Sequence, residues 1–295
     1  LEKLGECKIY HRTPQEKILE RCEGAEIILT NKTPLTAETL EKLPNLKYIA
    51  LLSTGYNIVD CDCAKSRGIP VSNIPAYSTN AVAQLTFSLI LEITNAVGIH
   101  SESVKNGEWT NCPDFCYWKT PLTELCGKTL GIVGFGQIGQ AVADIAEAFK
   151  MNVVAVSGHE TDQSHRKNFK WVDMDTLANT SDIISFHCPL TEKTTGLVNK
   201  DFIDKCKDGA IIINTSRGPV VNDKDLADAL NSGLEVKDIT FINGTVYKTN
   251  SLESVYDALQ LPAFPDANIL GVTATPDRGD MKNLGQYFDS KAFEY

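Results

Sequence analysis

The stretch that decides the fold is KTLGIVGFGQIGQAVADIAEAF, residues 128–149. Gly134, Gly136 and Gly139 fall in the spacing G-x-G-x-x-G, between a strand-like apolar run and an amphipathic helical pattern. In this context the first glycine permits a tight turn and the second lets the backbone approach a pyrophosphate. The third lets the helix pack against the strand. Because the helix begins here, its free N–H groups and positive dipole end favour an anion, so the motif predicts a dinucleotide-binding turn.

Strand-like and helical patterns alternate on both sides of this motif. The predicted strands are residues 7–10, 25–30, 46–53, 71–74, 128–136, 152–157, 182–188 and 209–215. A long helical pattern over residues 80–95 and an irregular segment rich in proline and aromatic residues, 107–125, separate the two halves. Alternation of this kind predicts an α/β protein with two doubly wound parallel-sheet domains, joined near residues 96–105.

Length and composition limit the classes of function. The 295 residues, 42% of them hydrophobic, suffice for about two domains. A net charge of −10 repels phosphate backbones, so nucleic acid is not an expected partner. No apolar run approaches the length of a membrane helix, and we expect no membrane partner. The nine cysteines lack paired C-x-x-C zinc spacing, which predicts reduced thiols in a cytoplasmic protein without a metal site.

The residue after the second strand of the cofactor-binding half bears on the identity of the nucleotide. An NAD-binding protein carries Asp or Glu there to hold the ribose 2′-hydroxyl, whereas this chain has Ser157. Without that carboxylate a 2′-phosphate is rejected less strongly, and His159 or Arg166 could attract one. In the alternative, Glu160 makes the ribose contact from slightly further along. The sequence therefore leaves NAD and NADP open.

Five stretches carry a resemblance to a known family. They are LLSTGYNIVD, GIPVSNIPAYSTNAVAQLTFSLILE, PDFCYWKTPLTELCGKTLGIVGFGQIGQ, SFHCPLTEKTTGLVN and INTSRGPVVN, in this order over about residues 1–235. They resemble the D-isomer-specific 2-hydroxyacid dehydrogenases, especially the glycerate dehydrogenases, or hydroxypyruvate reductases. The resemblance implies hydride transfer between a nicotinamide and the 2-carbon of a small 2-keto acid such as hydroxypyruvate or glyoxylate. It also implies a homodimer.

The same resemblance implies the domain layout. A flavodoxin-like substrate domain is expected over residues 1–97 and a Rossmann cofactor domain over 98–284, with the active site in the cleft between them. Family members begin with a strand that precedes the position of Leu1. We therefore expect the natural protein to contain residues before Leu1, and residues 285–295 to complete the first domain.

The resemblance also assigns roles to side chains. Arg217, in the SRG motif, is implied to bind the carboxylate and carbonyl of the substrate, and its rigid donor fork suits a planar carboxylate. The alternative is a structural ion pair. The backbone of Ser53, Thr54 and Gly55 is similar to the family's carboxylate cradle. A lone histidine at a strand end, such as His187, is more often structural than catalytic. The residues expected to contact the cofactor are Gly134, Gly136, Gln137, Ile138, Gly139, Ser157, His187, Pro189 and Thr215.

The last third of the chain departs from the family pattern. The family uses a histidine in a Thr-Pro-His context as proton donor, and a glutamate that raises its pKa. Here no histidine follows Arg217. Asp277, in a Thr-Pro-Asp context, is the candidate substitute, but it can donate at neutral pH only if burial raises its pKa. Asn243 stands near the position of a family aspartate.

Two explanations of this departure stay open. In one, the tail has diverged, and the protein is a weak or altered dehydrogenase or a nicotinamide-binding regulatory protein without catalysis. In the other, the residues after about 235 are not the natural sequence, for instance through a frame error. The abruptness of the change favours the second explanation, because functional drift usually alters a few site residues and leaves the core pattern intact.

Overall fold

The computed structural model describes residues 6–231 and 240–243. By its contacts the chain divides into two compact units, Leu1–Ser78 and Thr79–Tyr295. Our boundary between residues 97 and 98 stays a prediction about domains. The contacts group the helix over Thr79–Asn95 with the second unit, because that helix packs against the helix of the glycine motif.

The first unit is a three-stranded parallel sheet with short helices. Its elements are a 3-10 turn (Gln15–Lys17), α1 (Ile18–Cys22), β1 (Ile27–Thr30), α2 (Ala37–Glu41), β2 (Tyr48–Leu51), α3 (Cys61–Ser66) and β3 (Val71–Ser72). The strand order is β1-β2-β3, with Ile27 opposite Tyr48 and Ile49 opposite Val71. Thr36 caps α2 by accepting a hydrogen bond from the Thr39 N–H.

The prediction of a strand over residues 7–10 is wrong. These residues lie outside any helix or strand, and Ile9 is 70% exposed. A run of four residues gains nothing from a strand conformation unless a neighbouring strand accepts and donates its hydrogen bonds, and composition alone does not reveal that neighbour.

The second unit carries the glycine motif. Its helices are α4 (Thr79–Asn95), α5 (Val97–Lys105), α6 (Glu108–Asn111), α7 (Gln137–Ala148), α8 (Met174–Thr180), α9 (Lys200–Lys205) and α10 (Asp223–Asn231), with a 3-10 turn at Gly218–Val220. Its strands are β4 (Thr129–Val133), β5 (Asn152–Val156), β6 (Phe169–Trp171), β7 (Ile183–Phe186), β8 (Ile211–Asn214) and β9 (Thr240–Asn243). The predicted strands after the motif are confirmed, and the sequence pattern missed β6 and β9.

All six strands of this sheet are parallel, in the order β6-β5-β4-β7-β8-β9. The order reverses between β4 and β7, which is where open α/β sheets bind ligands beyond the carboxyl ends of the strands. One core packs α4 and α7 on one face of the sheet, around Leu130 and Val142. The other packs α8 and α9 on the opposite face, around Ile184 and Phe202. The predicted parallel α/β fold is confirmed.

The length and the apolar content of a helix decide whether it could cross a membrane. Among the residues described, no single helix is both long and apolar enough to cross a bilayer. The pair α4 and α5, bent by 58°, meets that standard of length and composition only when the two helices are counted together.

Candidate functional site

The three glycines of the motif are not equivalent in the structure. Gly134 has φ +93°, and a Cβ there would lie 2.5 Å from the backbone nitrogen of Cys188. A Cβ on Gly139 would overlap the carbonyl oxygen of Gly134. A Cβ on Gly136 would meet no heavy atom within 4 Å. The packing of the protein therefore requires the first and third glycines but not the second, and a close approach by a ligand is the remaining reason for a glycine at Gly136.

The amino-terminal end of α7 begins directly after Gly136. No side chain caps this helix, whereas Thr36, Asp60, Asp173 and Asn199 each cap a helix by accepting a backbone N–H. The first N–H groups of α7, including those of Gln137 and Ile138, have no partner within the helix by its geometry. An uncapped, twelve-residue helix at the switch point of the sheet fits a phosphate group.

The residues after β5 bear on cofactor choice. Ser157 follows the strand, and its Oγ accepts the N–H of His159 at 3.3 Å. The expectation that Arg166 could attract a 2′-phosphate is wrong in this structure. The Arg166 side chain is only 4% exposed, and its guanidinium is paired with Asp144 and Glu147 on α7. Of the side chains of Arg166 and His159, only that of His159 is exposed.

His187 lies directly after β7 and is held as a neutral ring. Its Nε2 lies 2.9 Å from Ser185 Oγ and its Nδ1 lies 3.4 Å from Thr215 Oγ1. Burial lowers the pKa of His187 to about 3. The residue as a whole is half-buried, but both ring nitrogens bond to buried side chains. A neutral imidazole cannot act as the proton donor at neutral pH, which favours a structural role. The neighbouring Pro189 accepts from the Thr194 hydroxyl at 2.6 Å.

Arg217 sits on a turn that Asn214 organises. The fully buried Asn214 side chain accepts from the Ser216 N–H at 3.0 Å and from the Ser216 hydroxyl at 2.7 Å. Its Nδ2 donates to the carbonyl oxygen of Arg217 at 2.9 Å. The turn is continued by a 3-10 turn whose second residue, Pro219, accepts the N–H of Gly196 at 2.7 Å. These bonds fix the backbone on which the guanidinium stands.

The Arg217 guanidinium itself is exposed. Its one hydrogen bond within residues 6–231 runs from Nη1 to the carbonyl oxygen of Ser216, at 2.9 Å. No carboxylate in that range forms a salt bridge with it, in contrast to Arg166. The structure of this part of the chain therefore gives no support to a structural ion pair for Arg217.

The loop over Ser53, Thr54 and Gly55 follows β2 in the first unit. Ser53 Oγ donates to the Gly55 carbonyl oxygen at 2.8 Å, and Thr54 Oγ1 donates to the Ile74 carbonyl oxygen at 3.0 Å. The backbone N–H groups of Thr54 and Gly55 have no acceptor among the residues described. Two such donors on a braced loop fit the carboxylate cradle expected from the resemblance.

The remaining predicted residues fall mostly outside the described part of the chain. Asp277 lies outside it, so its role stays a prediction. Asn243 is the last residue of β9, and its backbone is in register with Asn214 of β8. The carboxyl ends of these strands therefore lie side by side. No group of three or more His, Cys, Asp or Glu side chains within the described ranges is arranged to hold a metal ion.

Sequence reasoning missed three polar residues that build this edge of the sheet. The role of Asn214 could have been predicted from the sequence, because an asparagine at a strand end favours a local turn of this kind. Thr86, on α4, bonds to Thr215 across 129 residues of sequence, at 3.2 Å. Ser185 lies within a strand and is fully buried. For these two residues the only signal was a hydroxyl on a buried face.

Comparison with known proteins agrees with the resemblance seen in the sequence. The family model described as "D-isomer specific 2-hydroxyacid dehydrogenase, NAD binding domain" matches residues 87–236. A hydroxypyruvate reductase of Blautia hydrogenotrophica is 48% identical over 236 residues, which are 79% of this chain and 73% of that protein.

Solved structures give the same result. D-lactate dehydrogenase of Aquifex aeolicus, complexed with NAD and lactic acid, is 28% identical, with a TM-score of 0.72 over 88% of this chain and 78% of that one. An acyclic imino acid reductase in complex with NADPH and D-arginine is 28% identical, with a TM-score of 0.75 over 92% and 82%. These relatives are named as enzymes, and none of them supports the alternative of a regulatory protein.

The different demands on the glycines predict different outcomes of substitution. Gly136→Ala should weaken NADH binding about tenfold, because the methyl group occupies the space into which a pyrophosphate would come. It should leave the thermal unfolding midpoint unchanged. Gly139→Ala, the control, should lower the free energy of unfolding by about 1–3 kcal/mol through overpacking. Titration of NADH fluorescence and thermal unfolding measure the two effects. Unchanged NADH affinity in Gly136→Ala would contradict the assigned role.

The lowered pKa of His187 predicts a pH dependence of stability. An unfolded histidine titrates near 6.5, and His187 in the fold near 3. Between these values only the unfolded state binds the proton. The free energy of unfolding therefore falls as pH drops through this window, by at most about 1.4 kcal/mol per pH unit from this group. Urea unfolding at several pH values between about 4 and 7 gives the free energy of unfolding as a function of pH. In His187→Gln this free energy should change less steeply with pH than in the wild type. The exposed His159→Gln is the control, and equal slopes in all three proteins would refute the prediction.

Proposed function

Because the chain belongs to the D-isomer-specific 2-hydroxyacid dehydrogenase family, we propose that it reduces small 2-keto acids of the hydroxypyruvate and glyoxylate class to 2-hydroxy acids with a nicotinamide cofactor. The reverse reaction would oxidise glycerate or glycolate. The observation that carries this proposal is Arg217, an exposed guanidinium without a carboxylate partner among the described residues. It stands at the carboxyl edge of the sheet that also holds the uncapped end of α7.

The proposed roles follow from the geometry of that edge. Arg217 presents a planar fork of N–H donors, which suits the carboxylate and the adjacent carbonyl oxygen of a 2-keto acid. Its charge would also stabilise the negative charge that develops on the carbonyl oxygen. The loop of Ser53, Thr54 and Gly55 is the second proposed contact of the substrate carboxylate. The N–H groups of Thr54 and Gly55, which have no acceptor among the residues described, would donate to it.

The cofactor would be held by the glycine turn and by the strand ends around it. Gly136, Gln137 and Ile138 would receive the pyrophosphate, and Ser157 would lie by the adenosine ribose. The carboxyl ends of β7 and β8, at His187 and Thr215, complete the proposed binding edge. When bound, the nicotinamide supplies the hydride. The proposal includes NAD and NADP, because Ser157 provides no carboxylate to repel a 2′-phosphate.

We propose further that the protein is a cytoplasmic homodimer. All nine cysteines are unpaired, as in proteins of reducing compartments, and the net charge of −10 disfavours nucleic acid as a partner. Cell fractionation tests the location, and recovery of the native protein outside the cytoplasm would contradict it.

An apolar surface on the second unit supports the dimer. Four large apolar side chains within residues 107–125 are exposed, namely Trp109, Phe115, Trp118 and Leu122, with Phe115 91% and Trp118 68% exposed. Sedimentation should show a dimer, and the double variant Phe115→Ser, Trp118→Ser should sediment as a monomer. The control is Leu52→Ser, an exposed apolar residue of the first unit. A monomeric wild-type protein would contradict the proposal.

Substitution of Arg217 tests the proposed function. In an absorbance assay of NADH and NADPH oxidation with hydroxypyruvate and glyoxylate, Arg217→Ala should lower kcat/KM by about 100-fold or more. Arg217→Lys should fall between the wild type and Arg217→Ala, because it keeps the charge and loses the fork. Cofactor affinity should stay within about twofold in both variants. If the wild-type protein turns over neither acid, the proposal is wrong.

The protein used in that assay must be sequence-verified over residues 235–295. The chain as written contains no histidine after Arg217, and Asp277 is the one substitute that the resemblance offers. If Asp277 donates the proton, the rate falls as pH rises through its pKa, and Asp277→Asn abolishes turnover.

A further inference from the structure

Four polar side chains form a continuous chain of contacts, which we name the Thr86 relay: Thr86, Thr215, His187 and Ser185. Thr86 on α4 lies 3.2 Å from Thr215 Oγ1, which follows β8. Thr215 lies 3.4 Å from His187 Nδ1, and His187 Nε2 lies 2.9 Å from Ser185 Oγ. Thr86 and Ser185 are fully buried and Thr215 is 7% exposed. Buried hydroxyls require partners, so the relay couples α4 to the ends of β8 and β7.

The direction of proton donation along the relay can be assigned. The Thr86 hydroxyl also lies 2.9 Å from the carbonyl oxygen of Val82, which can only accept. Thr86 therefore donates its single proton to Val82 and accepts from the Thr215 hydroxyl. Thr215 has then used its proton and accepts from His187 Nδ1–H. The unprotonated Nε2 in turn accepts from Ser185.

The opposite tautomer leaves one contact without a proton. With the proton on Nε2, His187 would donate to Ser185 and Thr215 would donate to Nδ1. The oxygens of Thr86 and Thr215 would then face one another at 3.2 Å with no proton between them. Only the Nδ1–H tautomer supplies one proton to each of the four contacts.

Thr215 stands two residues before Arg217, and the Asn214 side chain braces the other side of the same turn. We propose that Thr86 is a positioning residue. Its hydroxyl sets the direction of the relay, so that Thr215 donates to Thr86 and accepts from His187. These two bonds hold Thr215 and so fix the turn that presents Arg217 to a carboxylate. This inference rests on the proposed function, since it assumes that Arg217 binds the carboxylate of the substrate.

The first measurement reads the tautomer. Nitrogen-15 NMR of histidine-labelled protein, with the His187 signals assigned by difference from His187→Gln, should show Nδ1 protonated and Nε2 unprotonated. In Thr86→Val the Thr215 proton loses its acceptor and can turn to Nδ1, so both tautomers should appear. Thr86→Ser, which keeps the hydroxyl, should match the wild type. Ser185→Ala, a second variant at the far end, should keep the Nδ1–H tautomer.

The second measurement reads the anchoring of a carboxylate. Calorimetric titration of the NADH-bound protein with oxalate, a planar probe, should show a Kd about five- to tenfold higher in Thr86→Val. The Thr86→Ser variant should bind oxalate as the wild type does, and the NADH affinity of both variants should stay within about twofold. A role of Thr86 in packing alone would change the stability of both variants without altering the tautomer.

These measurements separate the relay from the proposed reaction. Absence of keto-acid turnover in the wild type would defeat the reductase, but neither the tautomer nor oxalate binding depends on turnover. The proposal for Thr86 is overturned if His187 of the wild type has the Nε2–H tautomer, or if the wild type does not bind oxalate. It is also overturned if Thr86→Val matches the wild type in tautomer or oxalate affinity, or if Thr86→Ser behaves like Thr86→Val.

Discussion

The contact between Gly139 on α7 and the carbonyl of Gly134 is the constraint on which the cofactor-binding edge depends. A Cβ on Gly139 would collide with this carbonyl, so α7 can approach the turn this closely only with glycine there. A Cβ on Gly134 would collide with the backbone of Cys188, which follows β7. On the opposite side, a Cβ on Gly131 would lie 2.9 Å from the Leu177 side chain of α8. Strand β4 is therefore held tightly from both faces. Because the position of β4 is fixed, the position of the uncapped end of α7 is fixed as well.

The carboxyl edge of the sheet is built from short-range turns joined by a few long-range hydrogen bonds. Asn214 organises the Arg217 turn within four residues, at a local cost in backbone freedom that three hydrogen bonds offset. His187 and Thr215 then join the ends of β7 and β8. An exposed cation on such a turn keeps its orientation without the ion pair that would neutralise it. Arg166 shows the opposite arrangement, because its side chain is buried and its charge is paired with two carboxylates.

The fold was predictable where the information is local. The glycine motif, its strand and its helix follow from spacing within 22 residues, and the long apolar strands around it follow from composition. Strand β6 was missed because it has three residues and is held by distant aromatic contacts, with Phe135 4.9 Å from Phe169. The strand predicted over residues 7–10 was wrong for a related reason, because no strand among the residues described pairs with it. In the site, Arg217 was predictable because it lies in a recognisable motif. The carboxylate partners of Arg166 and the side-chain partners of Thr215 lie 19–129 residues away and left no local signal.

The described carboxyl ends of β7 and β8 also limit where a proton for the reaction can come from. A guanidinium is too weak an acid to donate a proton at any working pH, and so are the hydroxyls of threonine and serine. Burial keeps His187 neutral and raises the pKa of the neighbouring Cys188 thiol. Binding and orientation of a keto acid can therefore be explained by this edge, but delivery of the proton cannot. A reductase built on this chain must bring its acid from another part of the sequence, which is the division of roles that the family resemblance implies.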